Sequence, residues 1–99
     1  MDAELKAKWV AALRSGTYQQ GRLLLHEGGA FCCLGVLWDC SGKPWDNKRT
    51  GVADYGYDTF DELFCAAFGI PSERSRELAR MNDDGVSFEV IADYIEREL

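Results

Sequence analysis

Seven consecutive residues, Phe31-Cys32-Cys33-Leu34-Gly35-Val36-Leu37, carry no charge and stand just after Gly28-Gly29-Ala30. A run of this kind is stable only when buried, so it anchors whatever a 99-residue chain can build around it. From Cys33 to Cys40, Cys33, Leu37 and Cys40 share a helical stripe flanked by Val36, which predicts a short buried helix over a longer strand. Gly35 within it predicts close packing against another backbone.

The neighbouring segments supply the partners. Asp2 is placed to cap a first helix whose buried stripe is Leu5, Trp9, Ala12 and Leu13, with Lys6, Lys8 and Arg14 toward solvent and Gly16 at its end. Arg22 to His26, the Gly28-Gly29 turn and Ala30 to Cys32 read as a short hairpin, marginal alone and in need of helices over one face. Thr59 and Glu62 form a capping box ahead of Phe60, Leu63, Phe64 and Ala67, a helix ended by Gly69 and expected at the centre of the core. Ser72 is expected to cap a further helix through about Met81, Asn82 to Gly85 to turn the chain, and Ser87 to cap a last helix with Phe88, Ile91, Ala92, Ile95 and Leu99 inward. The expected fold is α+β: one mostly helical domain over residues 1–99, with about five helices and a short β-hairpin near residues 22–32.

Charge divides the chain. Residues 1–50 hold seven Lys/Arg against five Asp/Glu, a balance of +2, while residues 51–99 hold four against twelve, a balance of −8. The acidic half argues against duplex DNA, because affinity for phosphates comes from cations that release counterions. The early charges and the lack of a long apolar run argue against a leader or a membrane span, and predict a cytosolic protein. In that setting the four cysteines, at 32, 33, 40 and 65, read as reduced core thiols.

Motifs for chemistry fail on their own spacing. Cys32-Cys33, Cys40 and Cys65 match no paired zinc-ligand pattern, and His26-Glu27-Gly28-Gly29-Ala30 has Ala30 where a zinc protease needs its second histidine. Aligning Gly85 to the glycine of a calcium loop puts Arg80 at the first ligand position and Ile91 at the last. The helix after Gly85 would present Glu89, Asp93, Glu96 and Glu98 to DNA phosphates, which excludes a helix-turn-helix reader. A cysteine nucleophile at Cys32 or Cys33 needs a base and an electropositive setting, and the one histidine, His26, sits across the hairpin turn, where it would serve only by facing a thiol; no catalytic residue, cofactor or metal is expected.

One set points to binding. Arg14, Tyr18, Gln20 and Arg22 surround Gly16 and Gly21, and Lys43, Trp45, Lys48 and Arg49 crowd the long segment from 41 to 58. Aromatic faces stack on bases and adjacent cations neutralise phosphate, as a nucleotide pocket requires. Arg14, Tyr18, Gln20, Arg22, Trp45, Lys48 and Arg49 are therefore the candidate ligand-binding residues. A solvated basic surface with Trp45 packed beneath it accounts equally for the same residues.

Three blocks carry a family resemblance: Trp9-Val10-Ala11-Ala12-Leu13-Arg14-Ser15-Gly16-Thr17-Tyr18-Gln19-Gln20-Gly21, the Phe31 to Leu37 run, and Met81 to Phe88 continuing through Ile91-Ala92-Asp93-Tyr94-Ile95-Glu96. With these the chain resembles a family of small tailed-bacteriophage proteins of uncharacterised function. The family often has cysteine after Val-Leu where Trp38 stands here, which speaks against a thiol-based role. The resemblance implies a phage protein working in the host cytoplasm, and small phage proteins without enzyme motifs often counter bacterial immunity. The leading expectation is a homo-oligomer that sequesters a small anionic immune nucleotide, of cyclic or ADP-ribose type, without hydrolysing it. Its pockets would lie between subunits, since one small domain offers little concave volume. The alternative is an inhibitor of a host immune protein that uses the acidic half as interface or nucleic-acid mimic. A cysteine-dependent enzyme is a third class, tested by Cys32→Ser or Cys33→Ser.

Overall fold

The computed structural model describes residues 1–22, 26–27, 29–42 and 64–99. Helix α1, Ala3–Arg14, begins where the Asp2 carboxylate accepts the Leu5 N–H at 2.9 Å and ends before Gly16, at φ 77°. Trp9, Val10 and Leu13 are its buried residues, with Leu5 and Ala12 packed at their margin. Trp9 also ties α1 to the centre of the molecule, its indole N–H donating to the Cys33 carbonyl at 2.9 Å.

Three two-residue strands follow: β1 Gln19–Gln20, β2 His26–Glu27 and β3 Ala30–Phe31, in spatial order β1-β3-β2. The antiparallel β2–β3 pair, turning through Gly29 at φ 83°, is the expected hairpin; residues 23–25 and 28 lie outside the described residues. The parallel pairing of β1 with β3 is an addition that two glutamines do not announce. It is permitted by Gly21, whose N–H donates to the Phe31 carbonyl at 2.7 Å and where a Cβ would stand 3.0 Å from that of Ala30.

Helix α2, Cys33–Cys40, is where the uncharged run lies. Every residue from Cys33 to Trp38 is buried, so α2 is enclosed nearly all round and is wider in its burial than a stripe of Cys33, Leu37 and Cys40. Cys32 is its N-cap, with Sγ accepting the Gly35 N–H at 3.4 Å. Among the described residues central burial thus belongs to α2 rather than to the helical residues 64–68 before Gly69. In that helix, residues 64–68 (α3), Phe64 and Phe68 turn inward against Trp38, at ring distances of 6.2 and 6.1 Å, whereas Ala66 and Ala67 are exposed. Ala67 therefore does not belong to the inward stripe. Thr59, Phe60, Glu62 and Leu63 of the expected capping box and stripe lie outside the described residues.

Helix α4, Ser72–Asp83, is capped by Pro71 with no side-chain bond, so Ser72 is the first helical residue instead of the cap, and the helix runs two residues past Met81. Its end is a glycine-terminated motif: Gly85, at φ 86°, donates to the Asn82 carbonyl and Val86 donates to that of Met81, satisfying carbonyls the helix leaves open. Helix α5, Phe88–Glu98, starts with the Ser87 hydroxyl accepting the Val90 N–H. Phe88, Ile91, Ala92 and Ile95 are buried as their spacing predicts, joined by Tyr94, with Leu99 half-buried. The core gathers Trp9, Val36, Leu37, Leu78, Ile91 and Ile95 at full burial, each aliphatic one contributing about 1.5–3 kcal/mol of transfer free energy. This is the mostly helical α+β architecture that the sequence predicts. Among the described residues no helix is long and apolar enough to cross a membrane.

Candidate functional site

The last turn of α4 points Asn82 into the molecule, where it is wholly buried. Its Oδ1 accepts the Cys33 N–H and a Gln20 Nε2–H, both at 3.1 Å, and its Nδ2 donates to the Gly21 carbonyl at 2.7 Å. The first N–H groups of a helix have no partner within it; in α2 the Gly35 N–H goes to the Cys32 thiol and the Cys33 N–H to Asn82. Gln20 donates further to the Val86 carbonyl at 2.7 Å. The carboxamide of Gln20, a candidate ligand residue by sequence, thus fastens β1 to the α4–α5 turn.

The other candidates diverge. Tyr18 packs its ring edge-on against Phe31 at 5.0 Å and donates its hydroxyl to the Asp39 carboxylate on α2. That hydrogen bond, and burial after it, hold the phenol well above its ordinary pKa. The half-buried Cys40 thiol shares this corner, raised by its own burial and by Asp39, and lowered in part by the Tyr18 hydroxyl and Lys8. Arg14 leaves α1 toward α5, where its guanidinium spans Asp93, at 2.5 Å, and Glu96. Those two hydrogen bonds raise its pKa further. Lys6 reaches the same helix at the Glu96 carbonyl, 3.5 Å away.

Arg22 stays with Gln20. Its Nη2 lies 2.9 Å from where a Cβ on Gly85 would stand, so an exposed guanidinium rests on the α4–α5 turn, and it has no ion pair among the described residues. The structure brings Gln20 and Arg22 together at this turn and sends Arg14 and Tyr18 to separate helices. Trp45, Lys48 and Arg49 lie outside the described residues, as does Lys43.

Burial favours the protonated form of the Cys32 and Cys33 thiols. It pushes Cys32 up to about 11 and Cys33 well above its ordinary value, and Cys33 Sγ donates to the Leu78 carbonyl at 3.5 Å. A nucleophile needs the opposite shift. Among the described residues no group of His, Cys, Asp and Glu could hold a metal ion.

The surface of α5 is acidic. Glu89, Asp93 and Glu96 follow the i, i+4, i+7 spacing of a single stripe, and all three are exposed, as is Glu98. Val90, 52% exposed, sits beside them as an exposed large hydrophobic residue. Residues 72–99 carry eight Asp/Glu against four Arg, and the guanidinium of Arg14 is drawn across from α1 to this row. Sequence reading identified the acidic helix but not Arg14 as its counterion. It also missed Asn82, for which a signal existed: Ser75, Leu78 and Asn82 fall at i, i+3, i+7, so the inward stripe of α4 ends on a carboxamide.

A family model described as Domain of unknown function (DUF8296) matches residues 1–72. The match covers α1, the sheet, α2 and α3, and stops short of Asn82 and α5. No curated protein and no solved structure matches the chain.

Proposed function

The chain belongs to the DUF8296 family, and we propose that it is a phage-encoded anti-defence protein, working in the host cytoplasm by binding and not by catalysis. Its acidic α5 surface docks on a basic face of a host immune protein. The observation that carries this reading is the exposed row Glu89, Asp93 and Glu96, two of whose carboxylates together hold a guanidinium, that of Arg14. Glu89, which has no ion pair among the described residues, is the carboxylate of the row open to a partner's cation. Phage origin rests on the three sequence blocks of the family resemblance. The raised thiol pKa values favour binding over cysteine catalysis.

Nucleotide sequestration by a homo-oligomer is the second reading. Arg14, Tyr18 and Gln20 spend their polar groups on Asp93, Asp39 and Asn82, which leaves it fewer ligands. Arg22 favours it, as an exposed guanidinium beside an open turn, with Trp45, Lys48 and Arg49 as its remaining candidates.

The test is phage plating on bacteria that carry single defence systems, with the chain expressed in trans. Wild type is expected to restore plating against a system whose effector binds nucleic acid. Glu89→Lys with Asp93→Lys is expected to lose that rescue, while Arg22→Glu with Lys48→Glu keeps it. Binding to the purified effector should weaken steeply with salt. Calorimetric capture of an immune nucleotide that survives the first pair and fails with the second would overturn the docking reading in favour of sequestration.

A further inference from the structure

We draw no further inference here: the strongest candidate, the exposed row Ala3, Ala7 and Ala11 on the outer face of α1 beside Glu4 and Lys8, is a stripe of small residues and nothing in the structure shows what covers it.

Discussion

The side-chain oxygen of Asn82 accepts the backbone N–H of Cys33 at 3.1 Å, so the N-terminus of α2 is capped from a helix 49 residues further along the chain. The same carboxamide holds Gln20 and the Gly21 carbonyl, and one buried residue therefore joins α4, α2 and β1. A buried amide with all its partners contributes modestly; the same partners left unpaired are costly.

Asn82→Ala is expected to destabilise the fold by roughly 2–4 kcal/mol, through an orphaned Cys33 N–H, an orphaned Gly21 carbonyl and a small cavity. Asn82→Asp keeps the acceptor but turns an oxygen toward the Gly21 carbonyl, and should lose a comparable amount at neutral pH and recover part of it in acid. Urea titration checks both. A midpoint unchanged in Asn82→Ala would mean that the capped N–H finds another acceptor.

Gly21→Ala places a methyl against the Ala30 Cβ, 3.0 Å from where its own carbon must go. Overpacking of this kind costs about 1–3 kcal/mol, and the β1–β3 pairing should loosen, seen as faster exchange of the Gly21-position amide that donates to Phe31. Ala30→Gly in the same chain removes the obstructing atom. The double variant is expected to regain part of the loss, giving a favourable coupling in a mutant cycle; additive losses would place the cause elsewhere than this contact.

Cys32 sets a pH dependence. Its thiol has a folded-state pKa near 11 against an ordinary value of 9.0, because burial disfavours the thiolate. The folded state therefore keeps a proton that the unfolded chain gives up, and stability is full below about pH 9 and falls as pH rises toward 11. At about 1.4 kcal/mol per pH unit, the loss is on the order of 2–3 kcal/mol, with Cys33 adding in the same direction. Unfolding free energies at pH 8 and 10.5 read this slope, and Cys32→Ser should reduce it to the share that Cys33 contributes. Thiol-labelling kinetics give a parallel check: Cys32 and Cys33 should react only on global unfolding, Cys40 and Cys65 sooner.

Much of what rests on periodicity and local caps was readable from the sequence, the Ser72 cap and the inward place of Ala67 excepted. Asp2 and Ser87 cap as their positions predict, and the limits of α2, Cys33 to Cys40, follow from its apolar pattern. Long-range polar contacts were not readable. Nothing in Gln19–Gln20 signals a strand, since its pairing depends on the missing Cβ of Gly21 and on Asn82, more than 60 residues away. Tyr18 and Arg14 looked available for a ligand because a lone sequence shows their chemistry and not their partners, Asp39 on α2 and Asp93 and Glu96 on α5. The alanines of α3 misled for a different reason: Ala carries little hydrophobic drive, so Ala67 in an apolar stretch marks helix propensity more than burial.

The family match ends at Ser72, yet the fold is not divided there. Leu78, Asn82, Ile91, Ala92 and Ile95 are fully buried, and they cover Trp9, Val36 and Leu37 in a single core. A fragment of residues 1–72 would leave that face of α1 and α2 in water, leave the Cys33 N–H uncapped, and lose the Arg14 partners on α5. Removing four fully buried aliphatic side chains, Leu78, Ile91, Ala92 and Ile95, forgoes several kcal/mol, against a total stability of about 5–15 kcal/mol for a domain. The fragment is expected to lack a cooperative thermal transition and to bind a hydrophobic dye, and adding α4 and α5 as a separate peptide of residues 72–99 should restore helical circular dichroism beyond the sum of the parts. A fragment that melts cooperatively by itself would show that the matched residues are self-sufficient and that α4 and α5 are an added layer.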